Sequence, residues 1–262
     1  MKHRTGRYNT VQHSAIQQSP VRVELFVYRN FIRRLGLKLE TLDRDLMNMN
    51  FSKYFELTGA LKGFIVSSAL LGALVGAAGA GLLSKEIGRK SSLIISAVLF
   101  AISAWGSGLP DILPESISLM VFFRILGGIA IGIASMNAPM YIAEISPADK
   151  RGKLVTYYQM AVVIGFFVVF LCTYFIGNGM SESENVTTGW RYMFWSELIP
   201  ALLFFVLLFM VPRSPRWLMI KGREEEAKNI LTRIHGEELA NKEFAEMKAN
   251  DTSLRQILGL LQ

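Results

Sequence analysis

Five stretches of this chain are too apolar and too poor in charge to remain in water. Phe64–Leu83, Ser91–Leu109 and Leu154–Gly177 carry no charged residue, Ile117–Ala143 carries only Arg124, and Tyr192–Pro212 only Glu197. Each approaches or exceeds the ~20 residues that a helix needs to cross the hydrocarbon core of a bilayer. Lipid offers backbone N–H and C=O groups no partners, so such spans are helices. The expectation is an all-α membrane protein with spans at about 64–83, 91–109, 117–143, 154–177 and 192–212 in a bundle covering residues 61–212. Charged residues make up 19% of the sequence, below the quarter or so of a soluble domain. They crowd instead into residues 1–63 and 213–262. The single cysteine, Cys172, lies in an apolar span, which excludes a disulfide scaffold.

Loop charges orient the spans. Lys85, Arg89 and Lys90 follow the first, Lys150, Arg151 and Lys153 the third, and Arg213, Arg216, Lys221 and Arg223 the fifth. The alternate loops hold Asp111 and Glu115, then Glu182 and Glu184, with Arg191 at the far edge. Short Lys/Arg-rich loops stay cytoplasmic, so these loops and the C-terminal tail are expected inside a cell inner (plasma) membrane. Phe64 is then outside. Residues 1–63, with eleven basic and five acidic residues, offer no further span. Val21–Leu37 is interrupted by Arg22, Glu24, Arg29, Arg33 and Arg34, each costing about 3 kcal/mol at a span centre. An amphipathic surface helix over Phe26–Leu37 remains open. A basic segment outside, before an odd number of spans, reads as a missing helix.

Small residues four apart, Gly72/Gly76 and Gly128/Gly132, suit close helix approach. Four motifs are more specific. Gly81-Leu-Leu-Ser-Lys-Glu-Ile-Gly88-Arg89-Lys90 follows the first span. Arg124-Ile-Leu-Gly-Gly-Ile-Ala-Ile-Gly opens the third, which leads into Pro139-Met-Tyr-Ile-Ala-Glu144-Ile-Ser-Pro147-Ala-Asp-Lys-Arg151-Gly152-Lys153. Gly189-Trp190-Arg191-Tyr192 opens the fifth, and Val211-Pro-Arg-Ser-Pro-Arg216-Trp217-Leu218 follows it. Together, in order from about Leu61 to His235, these resemble the sugar porters of the major facilitator superfamily, and among them the bacterial xylose–proton symporter type.

The resemblance implies an N-terminal half of a twelve-helix fold, with five of the family's first six helices recognisable. Residues 1–60 do not match, and the family's first-helix glycine–tyrosine–aspartate signature does not occur in 1–63. Residues 213–262 then correspond to cytoplasmic amphipathic linker helices. The implied activity is proton-driven sugar transport by alternating access, with a sugar, protons and the bilayer as partners and the C-terminal six-helix half absent here. Arg124 would belong to the proton-coupling network, and Glu197 is a possible partner in place of the missing aspartate. Gln159 would bind the sugar. The family's second glutamine, two turns on, is Phe166 here, which leaves the sugar open. Arg89, Glu144, Arg151 and Arg216 would form partly exposed, breakable ion pairs gating the cytoplasmic side. Two positions depart from the family: Lys85-Glu86 reverses an acidic–basic pair, and Arg213 stands where an acid is usual.

Plainer roles stay open beside these. Arg124 can be structural, Gln159 can pack helices, and the loop cations can serve orientation alone. Two other functions also stay open: a facilitator or symporter for another sugar or polyol, and a membrane fragment that does not transport. No enzyme is expected. His3, His13 and His235 are far apart, and the sequence offers no metal cluster, nucleophile–base pair or phosphate loop. No cofactor, metal or nucleic acid is implied.

Overall fold

Apolar spans separated by short polar links produce helices that run alternately up and down. A computed structural model describes residues 46–147 and 149–259; the surface helix expected over Phe26–Leu37 lies outside them. Helix α1 (Leu46–Tyr54) precedes five long helices: α2 (Gly59–Ile87), α3 (Arg89–Ser107), α4 (Ile117–Ile145), α5 (Arg151–Asn178) and α6 (Glu182–Met210). Three shorter ones follow: α7 (Pro215–Ile220), α8 (Glu224–His235) and α9 (Glu237–Gly259). The five are long and apolar enough to cross a membrane. At 29 residues, α2 and α4 are each roughly 43 Å long. They outrun a hydrocarbon core about 30 Å thick and carry their polar ends, Lys85, Glu86 and Glu144, as continuous helix.

The α2–α4 crossing is the closest in the bundle, and glycine makes it possible. Gly72 and Gly76 on α2 face Gly128 and Gly132 on α4. A Cβ on Gly128 would meet the Ala69 carbonyl and come within 2.9 Å of the Gly72 Cα, and one on Gly76 would lie 2.8 Å from the Ile129 Cα. The backbones therefore touch directly, the arrangement expected of small residues spaced four apart. On the other side of α4, Ser103 of α3 donates its hydroxyl to the Phe123 carbonyl at 2.7 Å. Helix α6 packs on α3, with Leu208 joining Leu93, Ala97 and Tyr141. Its course is interrupted at Glu197. Pro200, lacking an N–H, cannot bond back to the Ser196 carbonyl and weakens the helix there.

Helix α5 differs. It buries none of its residues among those described, and its main contacts are with α4 and the start of α6. A helix apolar on every side has no preferred face to bury.

The two ends of the bundle are closed differently. At the end where α3 runs into α4, Phe51 of α1 packs with Ile65, Leu109, Met120, Trp190 and Phe194. At the other end, Gly88 joins α2 to α3 with φ +88°, a conformation that disfavours a side chain, and a Cβ there would lie 3.0 Å from the Trp217 ring. Ser214 caps α7 by accepting from the Trp217 N–H at 3.3 Å, with Pro215 at the first helical position. Trp217, Leu218 and Met219 then pack with Ala227 of α8, and Ile230 and Phe244 flank them.

Candidate functional site

Two charge constellations stand out, one in the interior of the bundle and one at the Gly88 end. In the interior, Arg124 lies in the second turn of α4, where an unsatisfied charge is costly and usually functional. Its guanidinium sits 5.0 Å from the centre of the Phe194 ring, a cation–π contact. It also acts electrostatically on Glu197, one turn further along α6. The interruption of α6 at Glu197 thus places a carboxylate in the field of the only cation within the charge-poor part of α4. Both expected members of the proton-coupling network, Arg124 and Glu197, are therefore brought into one neighbourhood. Gln159, the expected sugar ligand, is exposed on α5, and so is Phe166 two turns on.

At the Gly88 end, Arg89 and Glu144 form an ion pair. Arg89 donates to Glu144 Oε1 from Nε at 3.1 Å and from Nη2 at 2.8 Å, and its Nη1 reaches the Ser84 carbonyl at 3.2 Å. The side chains are only 13% and 7% exposed. A gate of breakable pairs is expected to be partly exposed; this pair is more enclosed, and Ser214 bonds its free carboxylate oxygen. Arg151 and Arg216 are exposed, and among the described residues neither forms an ion pair.

Several partners escape sequence reasoning. Ser214 donates to the second carboxylate oxygen of Glu144 at 2.6 Å. Trp217 Nε1 donates to the Lys85 carbonyl at 3.1 Å, and Lys221 pairs with Glu86 at 3.3 Å. Tyr141 Oη donates to the Pro212 carbonyl at 2.8 Å. Helix α7 is thereby tied to the ends of both α2 and α4. The Ser-Pro start of α7 is the one signal in the sequence that such a cap exists. At the opposite end, Arg191 is buried and donates to the Leu109 carbonyl and Asp111, both at 3.1 Å, and to Glu115. Arg191 thereby gathers the exposed carboxylates of Asp111 and Glu115 around one buried guanidinium.

An all-helical bundle with five helices apolar enough to cross a membrane, an arginine inside one span acting on a carboxylate of another, and an Arg89–Glu144 ion pair at the helix ends has the architecture of a membrane-carrier half. The family model described as "Sugar (and other) transporter" matches residues 26–257, so the match begins inside the 1–60 segment that the motifs alone left outside the family, and the chain belongs to that family, the sugar porters of the major facilitator superfamily. It is 46% identical over 203 residues to the D-xylose-proton symporter of Escherichia coli strain K12, covering 72% of this chain and 41% of that one. It is 39% identical over 237 residues to the glucose transport protein of Synechocystis sp., covering 87% and 50%. Among solved structures, the proton:xylose symporter bound to 6-bromo-6-deoxy-D-glucose superposes with a TM-score of 0.76 at 42% identity, covering 83% of this chain and 50% of that one. The chain thus spans about half the length of the relatives it matches.

Proposed function

We propose that this chain supplies the N-terminal half of a sugar–proton symporter working by alternating access, with a pentose or hexose of the xylose type as substrate. The observation that carries the reading is the electrostatic influence of Arg124 on Glu197 inside the bundle, in a chain 46% identical to a D-xylose-proton symporter. A carboxylate in the field of an intramembrane cation changes that interaction when it takes up a proton. Through linkage, this biases the equilibrium between the two faces of a carrier. Sugar binds between halves, with Gln159 offering amide donors and an acceptor to its hydroxyls. The Arg89–Glu144 pair, with Arg151 and Arg216 engaging only in some states, closes the cytoplasmic side. The Lys/Arg-rich loops and the tail face the cytoplasm of the inner membrane.

The similarity to a glucose transport protein, and Phe166 at the second glutamine position, favour a second reading in which the sugar is a hexose or polyol. The test is uptake of labelled xylose, glucose and arabinose into proteoliposomes. The 262-residue chain alone is expected to give none. The chain joined to a six-helix second half from a relative is expected to accumulate one sugar under an inward proton gradient. Transport without any gradient dependence would refute symport, and none for any sugar in the assembled protein would refute the carrier reading.

A further inference from the structure

His235, the last residue of α8, is enclosed to 3% side-chain exposure, and nothing in the transport reading uses it. Its Nε2 lies 3.0 Å from the Ile145 carbonyl, at the end of α4, and its Nδ1 lies 2.7 Å from Glu243 Oε2 on α9. A carbonyl oxygen only accepts, so Nε2 must carry a proton. Nδ1 then faces a carboxylate, which also only accepts when ionised. The contact is consistent only with one further proton between ring and carboxyl, either as imidazolium with carboxylate or as neutral ring with carboxylic acid. Without that proton, a ring lone pair and a carboxylate oppose each other at hydrogen-bond distance.

We infer that the His235–Glu243 pair is a proton-dependent clasp that seats the tail helices on the last turn of α4. Ile145 ends α4 and His235 ends α8, so two helix C-termini turn their negative ends toward the ring. Of the charged groups on the neighbouring elements, Glu144 on α4 is engaged by Arg89 and Ser214, and Lys221 on α7 by Glu86. Arg216 on α7 is exposed, as are Arg233 on α8 and Glu237, Glu238, Lys242 and Glu246 on α9. Glu224 and Lys248 pair with each other at 2.8 Å across α8 and α9. Among the described residues, Glu243 is the charged group that the structure places at hydrogen-bond distance from the ring. Because Ile145 adjoins Glu144, the clasp grips the same turn that anchors the Arg89 pair. With the shared proton in place the seat is held, and its loss on the alkaline side leaves a ring lone pair against a carboxylate and loosens the seat.

Hydrogen exchange on the full chain in lipid nanodiscs, corrected for intrinsic rates, tests this between about pH 5.5 and 8.5. In the wild type, amides of Ala240–Met247 are expected to lose protection as pH rises, by up to about tenfold per pH unit, the limit for one linked proton. In E243Q the amide can donate or accept, so the clasp persists with a neutral ring. Protection is then expected to be retained and nearly flat with pH. A flat wild-type profile, or an E243Q profile as steep as the wild type's, overturns the inference. The outcome is independent of whether the assembled protein moves sugar.

Discussion

Arg89 directs two N–H groups at a single oxygen of Glu144, at 3.1 and 2.8 Å. The other oxygen is left for the Ser214 hydroxyl at 2.6 Å. The carboxylate is thus shared between the α2–α3 junction and the cap of α7, so separating Arg89 from Glu144 also disturbs the seat of α7.

Removing one partner from this enclosed pair strands the other charge. E144A is expected to destabilise by about 3–5 kcal/mol, as for other buried pairs broken on one side. S214A, which removes one hydrogen bond to a charged group, is expected to cost about 1.5–3 kcal/mol. Thermal unfolding in detergent measures both, and a cycle with R89A measures the coupling. Additive losses for Arg89 and Glu144 would show that the pair does not hold the end closed.

The glycine crossing makes a sharper prediction because its controls lie in the same bundle. G128A drives a methyl into the Ala69 carbonyl and the Gly72 backbone, so it is expected to lower the melting temperature by several degrees, on the order of 2–3 kcal/mol. G79A and G81A meet nothing within 4 Å. They are expected to be neutral, or to gain up to about 0.5–1 kcal/mol from reduced backbone entropy. Equal losses at all three would mean that helix contact at Gly128 is not what the glycine serves.

The spans are legible in the sequence because charge is so expensive in lipid: few soluble folds tolerate its absence over some twenty residues. Gly72, Gly76, Gly128 and Gly132 can be read as contact positions from spacing alone. Which helix each pair meets cannot. Arg89 and Glu144 are reachable through motif resemblance, whereas Ser214, Trp217 and Glu243 act through single hydrogen bonds made only after the tail folds back. No periodicity encodes such a bond. Gln159 shows the opposite limit: α5 is apolar on all sides, so no face of it is marked in advance, and the helix contributes nothing to the buried core.

In the assembled carrier, the Arg124–Glu197 neighbourhood predicts a split between exchange and accumulation. E197Q keeps size and hydrogen bonding but cannot ionise. It is expected to retain sugar counterflow while losing most gradient-driven accumulation. R124A is expected to lose both, since Glu197 is left without its cation and Phe194 without its cation–π partner. Counterflow and accumulation are measured in the same vesicles. Full proton-driven accumulation by E197Q would remove Glu197 from the coupling network.

At the opposite end, Tyr54 donates its hydroxyl to Glu115 Oε2 at 2.8 Å, while Arg191 holds the other oxygen of the same carboxylate. The hydrogen bond to Glu115, then burial and the carboxylate charge, raise the Tyr54 phenol above its usual value, with Arg191 opposing. A group with a raised folded-state value stabilises the fold fully below its unfolded value, near about 10. That contribution is lost as pH rises through the higher folded value. The wild type is therefore expected to lose melting temperature more steeply than Y54F above about pH 10, and the two curves are expected to converge there. Tyrosinate absorbance should show one phenol fewer titrating late in Y54F. Parallel melting curves for the two proteins across this range would mean that α1 is held by its Phe51 and Tyr54 rings against Trp190 and not by the bond to Glu115.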